Sequence, residues 1–306
     1  MTAITAALVK ELRDRTSAGM IDCKKALEAT GGDLDKAAEK LRMDGMAKAD
    51  KKGARVAAEG VIGCAVADDA VALVEVNSET DFVSKGDDFK ALAQLAADLA
   101  LKHRPADLAG LLTLDAGGQT LEEKRRSMVA KIGENLTIRR VAVVAKAGGA
   151  LAHYLHGSKI GVVVALAKGG DEIARDLAMH VAASAPRFLK ASDVAEDVIA
   201  AERKIIDAQI AQEQEDARLD ALDAGKEYKP KTPEILAKMA EGKIRKFLGE
   251  ITLLGQPFVK QPDQSVEQLL KAANAEVAQF VRFAVGEGIE KQATDFAAEV
   301  AAQLNG

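Results

Sequence analysis

Across residues 70–101 the apolar period changes from two to between three and four, and that change dictates a strand running into a helix. From Ala70 to Val76, β-branched or long apolar residues alternate with small or polar ones, the pattern of a strand. From Asp87 to Leu101, Phe89, Leu92, Leu95, Ala96 and Leu99 recur at helical spacing behind Asp87 and Asp88 as capping acids. Between the two lies Thr80-Asp-Phe-Val83, so Phe82 stands where the strand has ended and the helix has not begun. The chain has 8 Phe, 2 Tyr and no Trp, and an aromatic placed in a connecting turn needs a reason. Two readings are open. Phe82 folds back as a plug over the strand–helix joint, or it is a probe that enters a pocket on another protein, as buried aromatic anchors do at interfaces.

The rest of the chain is ordered around this joint. Residues 1–45 read as a three-helix module. Leu8 and Leu12 mark one face of a first helix that ends near Thr16 to Gly19. A second, Met20 to Ala29, offers Ile21, Cys23 and Leu27 for burial. Gly31 and Gly32 end it, and Asp33 caps a third helix with Leu34, Ala37, Ala38 and Leu41 inside. The layout resembles the ubiquitin-associated type of bundle, a protein-binding unit, on which Met20 is either an exposed contact or a core residue at a helix start. Residues 46–55 are basic and small, lack apolar periodicity, and read as a linker.

Residues 56–140 read as a first core subdomain. It pairs strands Val61 to Ala67 and Ala70 to Val76 about Asp68 and Asp69, then adds the joint, a helix Leu121 to Gly133 and a strand Leu136 to Val144. Strand signals at Val141 to Val144, Ala150 to Leu155 and Ile160 to Ala167 follow, then a helix with Ile173, Leu177, Ala178 and Val181 on one face. This repeats the order over 141–186 and suggests an internal duplication. From 187 to about 250, Val194, Val198, Ala201, Ile205 and Ala208 step by three or four in a charged background. Gly225, Pro230 and Pro233 interrupt, and Ile235, Met239 and Ile244 start again. This reads as a coiled-coil-like helical hairpin, with 187–235 as a candidate homodimerisation insertion and 236–262 returning to the core. A C-terminal module (263–280) has Ser265 capping a helix Val266 to Ala273. A final strand Phe280 to Val285 and a helix Thr294 to Leu304 complete 281–306. The expected class is α+β with antiparallel sheets.

Composition and motifs argue against chemistry. A net charge of −5 gives no general attraction to nucleic acid or anionic lipid. Cys23 and Cys64 are far apart without a CxxC spacing, as in a reduced compartment. No secretory leader, transit segment or run long enough to span a membrane is read, so a cytoplasmic location is expected. There is no phosphate-binding loop, dinucleotide fingerprint, HExxH or GxSxG. His153 and His156 fall on opposite faces of a strand-like run with no third ligand near, and Glu79 and Asp81 have no partner catalytic group. No catalytic residue, metal or cofactor is expected.

Two stretches, Leu12-Arg-Asp-Arg-Thr-Ser-Ala-Gly-Met-Ile-Asp-Cys-Lys-Lys-Ala-Leu27 and Glu75-Val-Asn-Ser-Glu-Thr-Asp-Phe-Val-Ser-Lys85, closely resemble the signature stretches of the bacterial elongation factor Ts family. The resemblance continues through Lys131-Ile-Gly-Glu-Asn135, His156-Gly-Ser-Lys-Ile-Gly161, Ala178-Met-His-Val-Ala-Ala183, Gly255-Gln-Pro-Phe258 and Gly286-Glu-Gly-Ile-Glu290, nearly the whole chain outside the hairpin. It implies guanine-nucleotide exchange on elongation factor Tu, bound in its GDP and nucleotide-free forms, with no direct nucleic-acid or membrane contact. Phe82 matches the family's inserted aromatic. Thr80, Asp81, Phe82 and Val83 are implied in disturbing the partner's Mg²⁺ site, while Arg13, Met20 and His156 match other partner contacts. Two other classes give different tests. A ubiquitin-associated adaptor would act through residues 1–45 alone, and an enzyme would act on a small molecule with no GTPase present.

Overall fold

The computed structural model describes residues 4–16 and 18–290, and its first elements follow the leucine spacing. Helices α1 (Ala6–Thr16), α2 (Met20–Ala29) and α3 (Leu34–Lys52) enclose Val9, Leu12, Cys23, Ala26, Leu27 and Ala37, with Leu8, Leu34, Ala38 and Leu41 packed at the margin. Asp33 caps α3 as its sequence predicts, accepting from the backbone N–H groups of Asp35 and Lys36. Ile21 does not join this core: it is 71% exposed, and Ala26 takes the inward position instead.

The basic stretch after residue 45 is not an irregular linker, because α3 continues through Lys52. Its inward face carries only small residues, which an apolar-period scan does not register. Gly45 comes so near α7 (Leu121–Ile132) that a Cβ there would lie 3.1 Å from Ala130 Cβ, and Ala49 is buried. Arg42–Glu123 and Arg126–Asp50 ion pairs, each 3.2 Å, flank the contact.

Strands β1 (Glu59–Val66), β2 (Ala70–Ser78) and β3 (Leu136–Ala145) form an antiparallel sheet in that order. All nine residues of β2 are buried, so the alternation in its sequence marks two covered faces, not a wet one and a dry one. On one face Val74 and Val76 join a core with Phe89, Leu92, Ala93 and Ala96 of α5 (Asp87–His103) and Leu111 of α6 (Leu108–Leu112). On the other, the turn at Leu155–Gly161 approaches closely enough that a Cβ on Gly161 would meet Ile62 and Leu73 side chains at 2.7 and 3.2 Å. Strand β1 and helix α5 approach closely at Gly63, where a Cβ would come within 2.3 Å of the Ala93 carbonyl oxygen. Gly63→Ala must push α5 off the sheet, and a destabilisation of about 2–3 kcal/mol in urea unfolding is the expected outcome.

β3 runs unbroken to Ala145, so the subdomain boundary expected after residue 140 falls inside a strand. It also carries an irregularity. Glu75 pairs with Arg140 but Val76 pairs with Ile138, which leaves Arg139 as an extra residue. This bulge lets two consecutive arginines reach one side chain, where a regular strand would send them to opposite faces. Arg139 Nη1 lies 3.2 Å and Arg140 Nε 2.5 Å from the fully buried Glu75 carboxylate. The Gly286 N–H and Asn77 Nδ2 also donate to it, at 2.8 and 3.0 Å.

Two compact units emerge. The first takes the chain to Ala145, Leu155–Gly161 and the part from Phe283; the second takes Lys146–Tyr154 and Val162–Arg282. In the second lie most of β4 (Leu151–His156), β5 (Ile160–Lys168) and β8 (Glu276–Ala284), sheet order β4-β5-β8, with α8 (Asp171–Ser184). There too are the helical hairpin α9 (Glu196–Asp223) and α10 (Pro233–Ile251), the ribbon β6 (Pro257–Phe258) and β7 (Gln261–Ser265), and α11 (Val266–Ala272), capped by Ser265. The hairpin's second helix thus extends to 251, past the expected return to the core at 236. A 2.5 Å Glu213–Lys243 pair shows that its helices run antiparallel. Its buried residues are Ile206 and Ile210, whereas Ile205 is 52% exposed. The buried pair lies in steps of four from Val194, and the three-residue step from Val198 to Ala201 set the expected stripe out of phase with it. The expected helix over 294–304 lies outside the described residues, and no described helix is long and apolar enough to cross a membrane.

His180, buried in the second unit, accepts from the Val259 N–H through Nδ1 at 3.2 Å and lies 3.0 Å from Gln256 Oε1 through Nε2. The ring is therefore neutral with its proton on Nε2, and burial holds it below the ordinary imidazole value even against the Gln256 bond. Unfolding frees the ring to protonate near 6.5, so the unfolded state binds more protons as pH falls through that value and stability drops. Denaturation midpoints between about pH 7.5 and 5.5 should fall in the natural protein and fall less in His180→Gln.

Candidate functional site

The strand–helix joint is itself a short helix, α4 (Asp81–Lys85), with Thr80 at its N-cap, followed at once by α5. Thr80 stops the strand because its Oγ1 can accept from the backbone N–H of Val83, here at 3.5 Å. Val83 packs on the core beneath, and Ser84 is buried with its Oγ donating to the Asp81 carbonyl at 3.0 Å. With those two turned inward, helical spacing sends Phe82 outward. It is 84% exposed, more than any other large apolar side chain among the described residues. The plug reading is therefore excluded.

Charges surround this aromatic. Asp81 pairs with Lys85 one turn later at 2.6 Å, and that hydrogen bond holds its carboxyl below the ordinary value. Glu59, the first residue of β1, is near enough to act on Asp81 and Lys85, and it pairs with Lys159 at 2.9 Å. The Ile62 N–H also donates to the Ser158 carbonyl at 2.8 Å. The turn that follows His156 is thus fastened to the same strand as α4, and His156 is exposed there. Arg13, on α1, and Met20, the first residue of α2, are both exposed, Met20 by 58%. No hydrogen bond or ion pair among the described residues joins either to α4. Of the seven side chains singled out from sequence, four form one helix start, His156 belongs to a neighbouring turn, and two stand on the N-terminal helices.

Two polar residues that shape the site, Glu134 and Asn135, escaped the residue-by-residue reading, and Glu79 entered it only as an acid without a catalytic partner. Glu134 accepts from the Thr80 N–H at 3.0 Å and from its hydroxyl at 2.7 Å. Glu79 accepts from the Asn135 N–H at 2.6 Å, and Asn135 Nδ2 donates to the Arg55 carbonyl at 2.7 Å. The legible signal was Gly133, which ends α7 in the left-handed region at φ 89° and turns the chain toward α4. The pairing across more than fifty residues has no local signature.

Chemically, the site offers an apolar ring beside a carboxylate and a lysine. Among the described residues no group of three or more His, Cys, Asp or Glu is placed to hold a metal ion. Cys23 is buried, and burial pushes the Cys64 thiol up to about 11, so it stays protonated at neutral pH and is a poor nucleophile. The arrangement suits docking.

Comparison with known proteins agrees on one family. The model of a family described as Elongation factor TS matches residues 79–287. A protein of Hydrogenovibrio crunogenus named Elongation factor Ts is 54% identical over 303 residues, which cover 98% of this chain and 97% of that one. Proteins of the same name from Aeromonas hydrophila and Alkalilimnicola ehrlichii are 51% and 49% identical over 306 residues, covering 99% of this chain and 98% and 99% of theirs.

Proposed function

Because this chain belongs to the elongation factor Ts family of translation elongation factors, we propose that it binds elongation factor Tu and promotes release of its GDP. The observation that carries the reading is Phe82, an aromatic ring held in water on a helix whose neighbouring side chains are anchored. Burying such a ring in a partner's pocket is worth about 2–3 kcal/mol, and α4 presents it with little freedom left to lose.

The mechanism is a thermodynamic linkage. A GTPase holds GDP through phosphate contacts and a Mg²⁺ bridging phosphate oxygens. A protein that binds the nucleotide-free form more tightly than the GDP form weakens GDP binding by the same factor. Thr80 to Val83 enter near that Mg²⁺ site, with Phe82 as the wedge and Asp81 beside it. Arg13, Met20 and His156 supply further contacts that hold the complex while the nucleotide leaves, and GTP then binds the empty site. The chain contributes no catalytic group and no cofactor; interface energy deforms the partner's pocket.

The same reading takes α1 to the start of α3 as a ubiquitin-associated-like module and the two sheet-and-helix units as a duplicated core. It takes residues 263–280, with α11, as a C-terminal module, α9 and α10 as a hairpin able to pair two copies, and the cytoplasm as the place of action. The test is release of a fluorescent GDP analogue from purified elongation factor Tu in excess unlabelled GDP and Mg²⁺. Acceleration by this protein supports the reading; folded protein that leaves the release rate unchanged overturns it.

A further inference from the structure

We propose that Glu134 is a positioning residue for α4, holding both donors of Thr80 and so setting the direction in which Phe82 points. The inference rests on the exchange reading above and adds to it the residue that makes the wedge stiff. Five residues are too few to stand as a helix on backbone hydrogen bonds alone. The entry to α4 therefore needs an outside anchor, and the Glu134 carboxylate supplies one with two points of attachment. Oε2 takes the Thr80 N–H at 3.0 Å, and Oε1 takes the Thr80 hydroxyl at 2.7 Å. That hydroxyl, its proton given to Glu134, is the acceptor for the Val83 N–H at 3.5 Å. Carboxylate, hydroxyl and backbone N–H thus form a relay from Glu134 across the first turn of α4, with Phe82 within the turn it spans. Charge-assisted bonds of this kind are roughly twice as strong as neutral ones, and each bond in such a chain polarises the next.

The anchor is reciprocal. Glu79, just before Thr80, takes the N–H of Asn135, just after Glu134, at 2.6 Å. Two neighbouring pairs, Glu79–Thr80 and Glu134–Asn135, so exchange a carboxylate for a backbone donor in each direction. The turn that carries Glu134 is fixed in its own right. Lys52 Nζ donates to the Gly133 carbonyl, and Asn135 Nδ2 donates to the Arg55 and Gly53 carbonyls at 2.7 and 3.4 Å. Glu134 itself is half-buried and adds nothing to the apolar core under α4, which Val83 and α5 supply. Its removal takes away the orientation of the first turn while leaving the sheet and α5 their packing.

The experiment uses the full chain with Glu134→Ala and Glu134→Gln, each alone and combined with Phe82→Ala. The rate of release of the GDP analogue is followed as a function of exchange-factor concentration. Glu134→Ala is expected to lower the maximal rate about tenfold, as the loss of a paired charged hydrogen bond does. The half-saturating concentration should stay within about twofold, because Arg13, Met20 and His156 are untouched. Glu134→Gln keeps one acceptor oxygen but presents an N–H to the other donor, and should fall between the two. The decisive reading is the cycle: in the Phe82→Ala background, Glu134→Ala should cost nothing further, since it acts through the ring. Amide hydrogen exchange should quicken at Thr80 and Val83 and stay unchanged in β2 and α5. A Glu134→Ala loss that adds in full to that of Phe82→Ala, or unaltered exchange at Thr80, overturns the inference while the exchange reading stands. A natural protein that leaves GDP release unaccelerated overturns the exchange reading itself, and the amide data then still report whether Glu134 holds α4.

Discussion

Phe82→Ala is expected to leave thermal stability nearly unchanged and to slow the accelerated release of GDP by about thirtyfold or more. The two halves of this expectation have one cause. A side chain that is 84% exposed gives up almost no buried area when it is cut back, so the change in folding free energy should stay within about 0.5 kcal/mol. The same ring, if it fills a pocket at an interface, is the kind of anchor whose truncation costs 2 kcal/mol or more, about thirtyfold in a rate or binding constant. Circular dichroism melting and the release assay on one preparation separate the two. A mutant that melts well below the natural protein would mean that Phe82 holds the joint together. A mutant that melts normally and exchanges normally would move the working contact elsewhere on the chain.

Glu75→Ala should have the opposite profile, with the fold as its main casualty. Its carboxylate is fully buried and serves Arg139, Arg140, Asn77 and the Gly286 N–H at once. Removing one side of a buried ionic network leaves the other side uncompensated, which typically costs about 3–5 kcal/mol. Here that loss also frees the end of β8 and the segment after it, which are tied to the first sheet by Arg140 to the Ala284 carbonyl at 2.9 Å and Arg139 to the Glu287 carbonyl at 2.7 Å. Urea unfolding should show a much earlier midpoint, and amide exchange should quicken along 284–287. Burial by itself would raise the Glu75 carboxyl value, but the Gly286 N–H, Asn77 and Arg140 outweigh it and hold it below the ordinary value. The network is therefore fully stabilising above the ordinary carboxylate range, and its contribution is lost as pH falls through that range toward the folded value. An acid titration of stability should be flatter in Glu75→Gln than in the natural protein.

Local chemistry carried much of the sequence reading. Asp33 and Ser265 cap helices as read, because a short oxygen-bearing side chain satisfies the first free N–H groups, whereas α5 opens at Gly86 with no side-chain cap and the expected capping acids Asp87 and Asp88 lie inside its first turn. The change of period at 70–101 located β2 and α5 because each pattern fits only one backbone geometry. The candidate wedge was legible as an aromatic out of place, though its sequence allowed both a plug and a probe. What failed did so where local pattern carries no information. Residues 46–52 looked featureless because Gly45 and Ala49 make a close contact without large side chains. Ile21 and Ile205 looked inward because periodicity gives spacing more firmly than phase.

Sequence by itself therefore located most of the elements, the caps at Asp33 and Ser265 and the family to which the chain belongs, since these depend on residues near one another along the chain or on motifs read in order. Only the tertiary structure decided that Phe82 faces water, that a bulge at Arg139 turns two arginines onto Glu75, and that Glu134 reaches Thr80 across 54 positions. Those outcomes rest on which buried groups find partners once distant segments meet, and a polar side chain's partner is chosen by the space around it rather than by its neighbours in the chain.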